Sequence, residues 1–154
     1  MRVDPSFFRS SACLPTMRRF LALALASAAL ALPAAAQTAV TWETLAQVRL
    51  VRNGAMFAPR FEPSVQRLNG QRVRLQGFML PIDEQGAQAH FVLSASPVAG
   101  CFYCLPGGPE TMVEIRLDRA VPFSYDPLTV SGELELLVDD PMGMYYRLKN
   151  ARTH

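Results

Sequence analysis

The chain has 154 residues, 15 Lys+Arg against 13 Asp+Glu, and a formal net charge of +2. Arg2, Arg9, Arg18 and Arg19 precede residue 37, whereas Asp4 is the only acidic residue there, so residues 37–154 carry 11 basic against 12 acidic groups and a net charge of about −1. That balance, with no basic cluster left to track phosphates, argues against nucleic acid as a partner.

The N-terminal third reads as a targeting segment. Arg18 and Arg19 give a positive start, Phe20 to Leu32 is an apolar run, Pro33 breaks it, and Ala34-Ala35-Ala36 supplies small residues before Gln37. This is the three-part pattern of a secretory signal peptide. The run is short for a membrane span, which needs about 20 apolar residues. Residues 1–36 are therefore expected to be a signal peptide cleaved near Ala36/Gln37. Residues 1–16 add nothing to the pattern, and Met17 is an alternative start. The expected product is a periplasmic protein with no membrane span. Residues 37–154 suffice for one domain with its own core.

Thr41 can cap a helix that runs to Val51, with Trp42, Leu45 and Val48 on one face and Asn53-Gly54 ending it. Pro63 suits a first helical turn before Val65 and Leu68, and Asn69-Gly70 stops that element. Residues 37–70 are thus expected to be a helical segment packed on a barrel-like domain of residues 71–154. After Gly70 the period changes to two. Segments around Val73–Met79, Ala89–Leu93, Val113–Leu117, Val130–Val138 and Met144–Leu148 alternate apolar and polar residues. Five such strands predict a mainly β fold, a small antiparallel barrel of the OB type, with the two short helices over an open end. Gly77 and Gly132 interrupt strands and suit barrel corners.

The concentrated chemistry is Gly100-Cys101-Phe102-Tyr103-Cys104, followed by Leu105-Pro106-Gly107-Gly108-Pro109. Two cysteines three apart can chelate one soft ion, zinc or copper, or close as a disulfide that export would preserve, which would make the chain a structural or interaction domain. His90, on the preceding strand, is the candidate third metal ligand; its plainer alternative is a solvent-facing strand residue. Glu110 is a further oxygen donor or a turn residue. A thioredoxin-type site needs a helix after its first cysteine, which Pro-Gly-Gly-Pro forbids, so a thiol oxidoreductase is the minority reading. Met142 and Met144 are thioether donors or core residues, and Asp139-Asp140 reads as a turn. No catalytic triad and no phosphate loop is present, so the sequence leans away from an enzyme.

The order of Trp42-Glu43-Thr44-Leu45, Phe61-Glu62-Pro63, Leu68 to Pro81, Phe91-Val92-Leu93, the Cys101 loop, Val130-Ser131-Gly132 and Tyr146-Arg147-Leu148 resembles a bacterial family of small exported proteins classed as a domain of unknown function. Members look like periplasmic proteins or lipoproteins, some encoded beside envelope ABC transporters and metal-responsive genes. The resemblance implies metal handling or transport support, with an envelope ABC transporter or another periplasmic protein as partner. Many relatives resemble a Cys-x-His pattern in this loop, where this chain has Tyr103 followed by Cys104.

Overall fold

A computed structural model describes residues 37–54, 56–82, 86–97 and 107–154. The expected signal peptide and both Cys101 and Cys104 lie outside the described residues.

In chain order the elements are β1 (Thr38–Ala39), α1 (Trp42–Leu45), β2 (Val48–Asn53), β3 (Met56–Phe61), α2 (Pro63–Gln66), β4 (Arg72–Pro81), β5 (Gln88–Ser94), β6 (Met112–Val121), β7 (Leu128–Leu136) and β8 (Tyr146–Thr153). A single 3-10 turn, Pro109–Thr111, precedes β6. No helix among the described residues is long and apolar enough to cross a membrane.

Strands β4, β5, β6, β8 and β7 hydrogen-bond in that order, and β7 returns to β4, closing a five-stranded barrel. The expected mainly β barrel with two short helices is the fold found. One expectation needs correction: the barrel is not wholly antiparallel, because β6 and β8 run parallel. The reason is parity. An alternating up-down ring cannot close on an odd number of strands, so five strands force one parallel pair. Here β8 enters between β6 and β7, as in a Greek-key OB barrel.

A second correction concerns residues 48–61. The helix capped by Thr41 exists, with Thr41 Oγ1 accepting from the Thr44 amide at 3.3 Å. It stops at Leu45, and Val48–Asn53 instead forms an antiparallel hairpin with Met56–Phe61. Val48, Leu50 and Arg52 share one face, as strand alternation requires. Asn53 pairs with Met56, and Gly54 turns the chain at φ +63°. Asn-Gly between alternating apolar residues is a hairpin signal before it is a helix stop.

Inward-facing residues of all five barrel strands form the core: Val73 and Leu75, Phe91 and Leu93, Val113 and Ile115, Val130 and Leu134, Tyr146 and Leu148. Leu45, Phe61 and Val65 join the same core from the preceding elements. Tyr146 fastens this join by donating its hydroxyl to the Leu45 carbonyl at 2.5 Å. Burial, with Glu110 and Tyr145 nearby, pushes that hydroxyl's pKa well up, so it stays a donor. All core residues fall within Ala35–His154, which is one compact unit. A unit with its own core is the kind that folds alone.

The two interrupting glycines sit at corners. Gly77 is where β4 leaves β7 and begins to pair with β5, its neighbour Phe78 facing Ser94. Gly132 lies opposite a bulge. Ser131 pairs with Arg152 and Glu133 with Lys149, so β8 holds one extra residue, Asn150, at φ +49°. The β6–β8 ladder skips the same residue. A β-branched side chain tolerates this left-handed backbone badly. Asn150 is exposed, so its backbone can be tested alone. Asn150→Val is expected to lower stability by about 2 kcal/mol, and Asn150→Gly to stay within about 0.5 kcal/mol of wild type. Urea midpoints check both, and an unaffected valine variant would deny that the bulge is strained.

Candidate functional site

Successive residues of β5 and β6 point alternately into and out of the barrel. Phe91, Leu93, Val113 and Ile115 point in, which leaves His90, Glu114 and Arg116 on the outer face. The β5–β6 register places His90 opposite Arg116, and the parallel β6–β8 register places Glu114 opposite Arg147. Four charged or titratable side chains from three strands therefore meet.

Glu114 is the hub. Its side chain is only 1% exposed although it faces outward. His90 Nε2 lies 2.7 Å from Glu114 Oε1. Arg116 Nε donates to the same oxygen at 2.9 Å, and Arg147 Nε donates to Oε2 at 2.5 Å. Arg147 also reaches Glu135 at 3.2 Å and Asp140 at 3.1 Å, and Lys149 closes on Glu135 at 3.2 Å. Burial alone would push the Glu114 carboxyl up. Hydrogen bonds from Arg147, Arg116 and His90, with the Arg147 charge, outweigh it and hold the carboxyl below the usual glutamate range.

An ionised carboxylate only accepts hydrogen bonds. Nε2 of His90 must therefore carry the proton, and in the neutral ring Nδ1 keeps its lone pair. His90 is 39% exposed. Around Glu114 the cluster pairs three carboxylates with three permanent cations.

Asp140 has two roles. It forms the expected turn, its Oδ2 accepting from the amides of Met142 and Met144 at 3.0 and 3.2 Å, while Oδ1 holds Arg147. Met142 is exposed and Met144 buried, so the two thioethers do not share a surface.

The stem of the cysteine loop is well defined. Ser94 pairs with Met112, and the Ala95 amide donates to the Thr111 carbonyl at 3.0 Å. Thr111 turns back onto the Gly108 carbonyl through its amide at 2.9 Å and its hydroxyl at 2.8 Å. Glu110 sits in this turn, at the foot of the loop. His90 lies four residues from Ser94, about 13 Å along the strand. Among the described residues no group of three or more His, Cys, Asp or Glu side chains is placed to hold a metal.

Glu114, Arg116, Arg147 and Glu135 are the site residues that alternation did not single out. Each was legible as an outward polar strand residue, but their convergence depends on register. Their sequence separations of 24 and 33 residues from His90 to Glu114 and from Glu114 to Arg147 hide it.

In OB barrels the second and third strands, flanked by the loops after the first and fourth, form the usual ligand face. Those strands here are β5 and β6, and Asp140 comes from the loop after the fourth strand, β7. The molecule is thus an OB-type barrel protein with a charged outer face built on one buried carboxylate. It belongs to the family described as Protein of unknown function (DUF3299), which matches residues 32–152. A crystal structure of a DUF3299 family protein from Pseudomonas aeruginosa PAO1 superimposes with a TM-score of 0.54 at 20% identity, covering 77% of this chain and 97% of that one. At that identity the likeness speaks to the fold. No curated protein matches the chain.

Proposed function

We propose that this chain is an exported, non-catalytic binding module of the periplasm, a metal-binding or transport-accessory protein that holds one zinc or cuprous ion. Cys101 and Cys104 are the principal ligands and His90 the third, with a partner such as an envelope ABC transporter receiving or supplying the ion. The observation that carries the reading is the His90–Glu114 hydrogen bond. Histidine ligands of metals commonly donate their second ring N–H to a carboxylate, which fixes the tautomer and raises the basicity of the coordinating nitrogen. Glu114 holds His90 in that state, with Nδ1 as the lone-pair nitrogen. Two thiolates add the softness that favours zinc and cuprous ions over magnesium or calcium.

The competing fate of the pair is a loop disulfide, since exported thiols can oxidise. Thiol counting separates the two. Reduced protein is expected to bind about one ion per chain, with thiols shielded from alkylation until chelator is added. Cys101→Ser and Cys104→Ser should each abolish binding, and His90→Ala should weaken it by about 10- to 100-fold. Elemental analysis and competition titration read these outcomes. Equal metal content in wild type and both cysteine variants would reject the metal site in favour of the disulfide.

A further inference from the structure

The β2–β3 hairpin makes no ladder with the barrel and forms a two-stranded sheet of its own. Its register sorts its side chains onto two faces. Val48, Leu50 and Arg52 lie with Phe61, Pro59 and Phe57, while Arg49, Val51 and Asn53 lie with Arg60, Ala58 and Met56. The first face begins in the core, where Phe61 is buried and Val48 packs. It then continues outward to Leu50 and Phe57, which are 59% and 68% exposed, and on the other face Met56 is 67% exposed. Large apolar side chains thus stand in water on both sides of one projecting ribbon.

The charges of the ribbon are one-sided. Residues 48–61 hold Arg49, Arg52 and Arg60 and no acidic residue. Arg49 stands directly opposite Arg60 in the ladder, and like charges so placed destabilise a hairpin. Glu62 neutralises Arg49. Among the described residues Arg60 has no hydrogen-bonded or ion-paired partner, and Arg52 makes only one bond, to the Gly54 carbonyl at 3.1 Å. A surface cleft of about 470 Å³ includes Arg52, Arg60, Pro59 and Gln66 in its lining.

We propose that this hairpin docks the protein on a phospholipid bilayer bearing anionic headgroups. Leu50, Met56 and Phe57 enter the interface, and Arg52 and Arg60 contact lipid phosphates. Three considerations favour this occupant. A bilayer interface can cover both faces of a ribbon tip at once, whereas a flat surface on a folded partner covers one. An isologous pairing with a second copy would bring arginines against arginines. Exposed apolar residues flanked by arginine are the combination that binds anionic interfaces, with electrostatic and apolar terms adding. The inference does not depend on the cysteine loop.

The test is co-sedimentation of residues 35–154, the unit that carries the core, with two kinds of vesicle: phosphatidylcholine alone, and an equal mixture with phosphatidylglycerol. Each arginine near an anionic surface is worth about fivefold in binding. The mixed vesicles should therefore bind roughly 25-fold more tightly than the neutral ones, and 0.5 M salt should remove most of the difference. Arg52→Gln/Arg60→Gln should erase the preference for anionic lipid. Leu50→Ser/Phe57→Ser should weaken binding to both vesicle types by tenfold or more. Unchanged thermal unfolding of these surface variants would show that the fold is intact. Equal binding to the two vesicle types, or full binding by the arginine variant, would overturn the proposal. So would absence of vesicle binding by a chain that self-associates or that binds an acidic protein through the same residues.

Discussion

Glu114→Ala is expected to destabilise the barrel by about 3–5 kcal/mol, the usual effect of removing one member of a buried ion pair. The cost does not come mainly from a lost attraction. It comes from what remains: Arg147, only 18% exposed, would keep Glu135 and Asp140 but lose the carboxylate that receives its Nε, and His90 and Arg116 would lose the same acceptor. Glu114→Gln, which keeps the shape and one acceptor oxygen, should cost less. The pH dependence is set by the direction of the Glu114 shift. Its folded-state pKa lies below the unfolded glutamate value of about 4.3. The unfolded state therefore takes up the proton first as pH falls. The contribution is complete above about pH 5 and is lost as pH drops through 4.3 toward the lower folded-state value. Urea unfolding of wild type and Glu114→Ala between pH 3 and 7 should show the two curves converging at the acid end. Curves that stay parallel, or an alanine variant within 1 kcal/mol of wild type at pH 7, would show that the cluster is not a stabilising hub.

Gly77→Ala is expected to cost about 3 kcal/mol through overpacking. A Cβ built at Gly77 would lie 2.5 Å from the Ser94 carbonyl oxygen, 2.9 Å from Leu93 Cγ and 3.0 Å from the Trp42 ring. The first contact is with backbone and cannot be relieved by a rotamer change. Trp42 is itself pinned, since its indole N–H donates to the Gln76 carbonyl at 2.8 Å. One methyl group would therefore press on the β4–β5 junction and on α1 together. Gly86→Ala is the informative comparison. Gly86 has nothing within 4 Å of such a Cβ among the described residues but φ of +87°, so its substitution should cost about 1 kcal/mol through backbone strain. Thermal unfolding of both variants checks the contrast. Equal small losses would mean that β4 can move away from β5 without penalty.

Most of the barrel is visible in period-two alternation, because each of β4 to β8 has one face in the core and one outside it. The hairpin was obscured by a coincidence. Trp42, Leu45 and Val48 satisfy helical spacing across a boundary, and Thr41 is a true cap, so the pattern extends a four-residue helix into a strand. Asn53-Gly54 fits either ending, and only the partner strand decides. β1 has two residues and pairs with Val73 and Arg74, too short for any periodicity. The cysteine pair was legible as a motif, whereas the buried carboxylate was not. Glu114 alternates correctly as an outward residue between Val113 and Ile115, and alternation says nothing of whether neighbouring strands cover an outward side chain. Its environment arises from two registers, one antiparallel and one parallel, and from Asp140 in a turn.

The insertion of β8 between β6 and β7 bears on the order of events as the chain is made. β4 to β7 leave the ribosome before β8, yet β6 and β7 have no ladder with each other. Until Tyr146–Thr153 arrives, each presents an unpaired edge, and the apolar residues between them lack Tyr146 and Leu148. Such non-local closure makes folding slow compared with helical proteins of similar size. Open strand edges also invite pairing with other chains. The barrel therefore cannot close until synthesis has passed β8. That delay leaves two strand edges open at once, and protecting them falls to whatever the chain meets before Tyr146–Thr153 can insert.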